Sequence, residues 1–152
     1  MATQSLYISV EIDEISKAIL KKTLNFKCCK NSSDLIYKNV VYIDDINNAE
    51  GSWWHMNICY SNFFDNCEAL FCLCKEIEKV IPQFEFIFLG KKRKFDFFEL
   101  LDFIKYVYND VKPYKDKFEN MYGHLSFTPK QFYKFRRKNK QFFSKTGDGS
   151  MS

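Results

Sequence analysis

From Asn66 to Ile81 the apolar residues Cys67, Leu70, Phe71, Cys74, Ile77 and Ile81 recur at helical spacing, and Pro82 follows at once. That spacing predicts a helix with one apolar face, and a proline cannot continue it. Such a helix is only half of a structure, because its face must be covered by a second layer. The chain supplies strands on both sides of it. Ser5–Ile12 alternates apolar and polar residues, and Phe84–Leu89 is an apolar run closed by Gly90. Helices laid on strands, with both present in each half of the chain, predict an α+β or mixed α/β fold, α+β being the expectation.

The remaining segments read in the same way. Asp13 is a candidate N-cap for a helix over 13–24, with Ile15, Ala18 and Ile19 on its apolar face and Leu20 and Leu24 beside it. Leu35–Ile43 and Trp53–Tyr60 read as strands, with a loop at Asp44–Ser52 between them. Phe95–Phe98 reads as a strand partner for Phe84–Leu89, with Lys91–Lys92–Arg93–Lys94 as the turn. Glu99–Val111 is helical and Pro113 stops it. His124–Thr128 is a further strand, closed by Pro129. No linker or low-complexity insert interrupts 1–152, so a single domain is expected. Its basic, aromatic segment spans 130–145, and a tail at 146–152 is expected to fray.

An apolar content of 46% with 28% charged residues describes a globular chain. No apolar run approaches the roughly 20 residues of a membrane span. Met1–Ser5 has neither the basic start nor the apolar stretch of a signal peptide. The cytoplasm is the expected location, with no membrane partner. The six cysteines include no Cys-x-x-Cys pair near a histidine, so they read as reduced, small core residues, and neither a metal nor a cofactor is expected. The net charge of +4 is unevenly spread: seven basic and no acidic residues lie between Lys130 and Lys145. That segment and the 91–94 cluster suit a polyanionic partner.

Two histidines occur in the chain, and each opens the same tetrapeptide pattern. His55-Met56-Asn57-Ile58 and His124-Leu125-Ser126-Phe127 both read as histidine, apolar, small hydrogen-bonding residue, apolar. On a strand, residues i and i+2 share a face. Each motif would therefore present an imidazole beside a short polar group and turn its apolar residues inward. Two copies provide two proton-transfer groups and two anchors. A neutral imidazole can take a proton while a protonated one gives one, and histidine serves both roles near neutral pH. Ser126 and Asn57 would donate to non-bridging phosphoryl oxygens as charge builds there.

With these motifs the chain resembles the two-histidine phosphoesterase superfamily, whose pattern is two copies of His-apolar-Thr/Ser-apolar on two strands. The opening strand Ser5–Ile12, the motif at His55, the strand Phe84–Gly90 and the stretch Gly123–Pro129 carry the resemblance, over about residues 5–129. One position departs from the pattern, since Asn57 stands where Thr or Ser is usual. The resemblance implies a bilobal, pseudo-symmetric α+β fold with antiparallel sheets flanked by helices. It implies metal-independent phosphodiester hydrolysis. The small size is similar to that of compact viral members that degrade nucleotide immune signals.

The expected substrate is therefore a small cyclic or 2′-5′-linked oligonucleotide, with a role in immune evasion. His55, His124, Asn57 and Ser126 are the expected catalytic set. Tyr7, Trp54 and Tyr60 are expected to stack bases, and Arg136 and Arg137 to steer phosphate. Three alternatives stand beside this reading. One is RNA-end processing at 2′,3′-cyclic phosphates. Another is a module of the same fold that binds nucleotide or RNA without cleaving it. The last is a structural domain whose histidines match by accident.

Overall fold

The computed structural model describes residues 5–28, 34–59, 63–88, 90–111 and 137. In chain order the strands and helices are β1 (Ser5–Glu11), α1 (Glu14–Thr23), β2 (Phe26–Cys28), β3 (Leu35–Tyr37), β4 (Val41–Asn48), β5 (Gly51–Cys59), α2 (Phe63–Val80), β6 (Glu85–Phe88), β7 (Lys91–Lys94) and α3 (Leu100–Val111). The seven strands form one sheet in the order β2-β3-β4-β5-β1-β6-β7, and every neighbouring pair is antiparallel.

Alternation sorts the sheet into two faces. Leu6, Ile8 and Val10 of β1, Val41 and Ile43 of β4, Trp54, Met56 and Ile58 of β5, and Phe86 and Phe88 of β6 are buried on one face. The core completes itself with Cys67, Leu70, Phe71, Cys74 and Ile77 of α2, and with Leu100, Phe103 and Ile104 of α3. Phe95 sits at the centre of an aromatic group, with ring centroids 5.1 Å from Phe84 and 5.2 Å from Phe71. Among the described residues, all three helices lie on this side of the sheet. The other face carries Tyr7, Tyr42 and their polar neighbours.

Four local readings are corrected. The stretch Leu35–Ile43 is not one strand. Lys38 and Asn39 both take positive φ (51° and 64°), which is the paired left-handed geometry of a tight hairpin turn, and they split it into β3 and β4. The expected loop at 44–52 instead belongs largely to β4 and β5, which pair from Tyr42–Asn57 through Asn48–Gly51. Apart from Ile46, the residues from Asp44 to Asn48 are polar, weak strand formers, and pairing with β5 overrides that preference. The basic run 91–94 is itself the partner of β6, while Phe95–Phe97 forms a single 3-10 turn.

The fourth correction concerns the face of α1. Its N-terminus is as read, with the Asp13 side chain accepting from the Ser16 N–H at 2.7 Å. Its buried residues, however, are Ser16, Lys17 and Leu20, whereas Ile15 is 75% exposed. The cause is Lys17. Its ammonium donates to Asp45 Oδ1 at 2.6 Å and to the Ile46 carbonyl at 3.0 Å, and it lies 3.1 Å from Glu14. Satisfying that charge turns the helix so that the Lys17 side faces the sheet.

The cysteines divide. Cys67 and Cys74 are buried core residues whose thiols are pushed up by burial, whereas Cys28 is exposed. Among the described residues, no helix is long and apolar enough to cross a membrane.

Candidate functional site

β5 is the central strand of the sheet, between β4 and β1, and presents Trp53, His55, Asn57 and Cys59 to the open face, while Trp54, Met56 and Ile58 enter the core. The inward half of the first tetrapeptide thus anchors the strand, and the outward half faces away from the core. Register brings three strands together here. His55 lies opposite Ser9 of β1 on one side and Asp44 of β4 on the other. Asn57 lies between Tyr7 and Tyr42, which are 55% and 43% exposed.

His55 is held in two ways. The Ser9 hydroxyl is 2.7 Å from its Nδ1. The Trp53 indole is stacked along it, with centroids 6.2 Å apart and planes within 9°. A hydroxyl both donates and accepts. When Nδ1 carries its proton, Ser9 accepts from it whether or not Nε2 is protonated. Ser9 therefore supports the base form and the acid form alike, and its bond to Nδ1 does not occupy Nε2. Asn57 is also tied down, since its Nδ2 donates to the Tyr42 carbonyl at 3.4 Å. That contact orients the amide and directs Oδ1 away from the carbonyl.

The expected site residues are placed as follows. His55, Asn57 and Tyr7 share one face over two adjacent strands. Trp54 does not join them: it is fully buried and packs edge-on against Phe26 at 5.7 Å, with an indole N–H that has no acceptor among the described residues. The reason is parity, because 54 lies out of step with 55 and 57 and its neighbour Trp53 takes the outward position. Arg137 is exposed. His124, Ser126, Tyr60 and Arg136 lie outside the described residues. Ser9, Asp44 and Tyr42 were not anticipated. Strand alternation in the sequence could have exchanged Trp54 for Trp53, but it carries no signal for which strands adjoin His55.

A cleft of about 470 Å³ opens at the far edge of the sheet, lined by residues including Leu24, Phe26, Tyr37 and Lys38. It holds none of the candidate residues. Among the described residues, no three His, Cys, Asp or Glu side chains cluster as a metal site would require. No protein-family model matches the chain, no curated protein matches it in sequence, and no solved structure matches it in fold.

Proposed function

We propose that the chain is a phosphodiesterase of the two-histidine type, acting on an oligonucleotide at the open face of its sheet. The observation that carries the reading is the first tetrapeptide. It presents His55 and Asn57 side by side, with Nδ1 of His55 engaged by Ser9 in a bond that does not occupy Nε2. The repeat of the same pattern at His124 to Phe127 supplies a second imidazole and a second anchor. In this reading the two motifs belong to two pseudo-symmetric lobes and flank one phosphate.

The chemistry is proton transfer. One imidazole takes a proton from water or from a neighbouring ribose hydroxyl, and the oxygen so activated forms a bond to phosphorus. The other imidazole protonates the leaving oxygen as its bond to phosphorus breaks. Each positioned group contributes roughly 10²–10⁴-fold. Ser126 and Asn57 donate to the non-bridging oxygens. Tyr7 gives a base a ring to stack on, worth roughly 1–3 kcal/mol.

The test is turnover of cyclic dinucleotides, 2′-5′-linked oligonucleotides and 2′,3′-cyclic nucleotides in the presence of EDTA. Hydrolysis is expected to survive EDTA and to show a bell-shaped pH profile. His55→Ala and His124→Ala are each expected to abolish most of it while the circular dichroism spectrum persists. Loss of activity in EDTA, or full activity of either variant, refutes the two-histidine mechanism.

One observation favours a second reading. The hydrogen bond from Asn57 to the Tyr42 carbonyl uses one of the amide's two donors. A site anchored this way suits binding without cleavage. Tight nucleotide binding with no turnover across the panel would select that reading.

A further inference from the structure

β7 is four consecutive basic residues at one edge of the sheet. Alternation divides them. Lys91 and Arg93 pair with Phe88 and Phe86, whose side chains enter the core, while Lys92 and Lys94 pair with Ile87 and Glu85 toward the open face. Lys94 thus has a carboxylate as its register partner, and Lys92 has an aliphatic residue.

Followed across the sheet, the row through Lys92 reads Lys92, Ile87, Ser9, His55, Asp44. This row is polarised, with an exposed cation at one end and a carboxylate beside His55 at the other. A polyanion with one phosphate at His55 is repelled by Asp44 on the β4 side and attracted by Lys92 on the β7 side. The next row of the face sets two carboxylates, Glu11 and Glu85, against the one cation Lys94, so it repels a phosphate. The Lys92 row is the open path.

His55 and Lys92 are three strand spacings apart, about 14 Å at about 4.8 Å per spacing. A stacked strand advances about 3.4 Å per phosphate, so this distance corresponds to several linkages rather than one. Tyr7 and Tyr42 flank the starting point of the path and offer exposed rings to the bases there.

We infer that the open face takes a linear single-stranded oligonucleotide of four or more nucleotides, laid across the strands from His55 toward β7. Lys92 holds a phosphate two or more linkages from the one at His55. The inference rests on the reading that His55 marks the reacting phosphate, and it narrows the substrate to a linear chain rather than a compact ring. Edge lysines also discourage unwanted strand pairing. That role is indifferent to ligand length, so ligand length is the variable to measure.

The experiment uses the full chain in EDTA and fluorescein-labelled oligoribonucleotides of two to five residues, in 2′-5′ and 3′-5′ linkage. Binding is read by fluorescence anisotropy, with the intact strand verified after each measurement. Affinity is expected to rise at least about tenfold between two and four nucleotides. In Lys92→Ala that gain is expected to vanish while dinucleotide affinity stays within about twofold, and the salt slope for the longer strands is expected to fall by about one. Lys91→Ala serves as the control on the same strand.

Equal affinity at every length, equal loss at every length in Lys92→Ala, or no binding at all overturns the inference. Turnover measured in parallel separates it from the catalytic reading. Length-dependent binding through Lys92 without cleavage keeps the track and refutes the phosphodiesterase. Cleavage with no dependence on length does the reverse.

Discussion

Replacing Lys17 by methionine tests the contact that docks α1 on the sheet. Lys17 is 1% exposed, and Met matches its length without its charge. The substitution removes the donor at 2.6 Å from Asp45 Oδ1 and the donor at 3.0 Å from the Ile46 carbonyl. Taking one partner from a buried ion pair costs about 3–5 kcal/mol when the other is left uncompensated. Here Asp45 keeps Lys21, 3.0 Å from its second oxygen, so the loss falls to the bottom of that range or just below it. We expect a loss of about 2–3 kcal/mol, which for a chain of this size lowers the melting midpoint by roughly 4–12 °C.

Urea unfolding followed by tryptophan fluorescence gives the number, and an unchanged m-value is required for it to be read as stability. Burial alone would raise the Asp45 carboxyl, but hydrogen bonds from Lys17 and Lys21 hold it below its ordinary value. A depressed carboxyl contributes stability above its unfolded pKa, and that stability is lost as pH falls through the folded one. The gap between wild type and Lys17→Met should therefore narrow below about pH 4. Lys17→Met/Asp45→Leu should recover most of the loss, because an apolar pair of similar volume replaces a desolvated charge pair. A single-variant loss under about 1 kcal/mol, or a double variant as weak as the single, would refute the reasoning.

Four further outcomes are expected. Trp54→Ala should cost about 3–5 kcal/mol as a core truncation, and Trp53→Ala less than about 1 kcal/mol while weakening nucleotide binding; the opposite order in urea unfolding would mean that the register of β5 is wrong. Tyr37, pushed up to about 12 mainly by burial, contributes stability that is complete below pH 10 and is lost as pH rises through 12; Tyr37→Phe should flatten that alkaline loss in thermal melts, and an unchanged slope would count against it. Ser9→Ala should lower turnover about tenfold with nucleotide affinity and melting midpoint preserved, the size of one lost hydrogen bond, and Ser9→Thr should retain most of the rate. Asn57→Ala should lower turnover by the roughly 3–4 kcal/mol typical of a lost transition-state donor, with Asn57→Thr equal or faster; no change in rate or binding would move the weight to His55, His124 and Ser126.

The amino-acid pattern by itself determined the elements with strong periodicity. The face of α2, the Asp13 cap, the alternation of β1 and the inward turn of Met56 and Ile58 all follow from repeats of 3.6 and 2 residues, which are local properties of the chain. The same alternation pairs His55 with Asn57 and already excludes Trp54 from their face.

Tertiary structure decided what depends on a distant partner. Asp44 to Asn48 is a poor strand until β5 pairs with it, and β7 is four like charges until β6 offers an edge. Lys17 is a poor core residue until Asp45 and the Ile46 carbonyl accept its hydrogen bonds. The neighbours of His55 are of the same kind. Ser9 and Asp44 lie 46 and 11 positions away in the chain, and only the strand order β4-β5-β1 sets them beside the imidazole. Periodicity names the face a residue takes, whereas hydrogen-bonded register names what stands next to it, and register is a property of the assembled sheet.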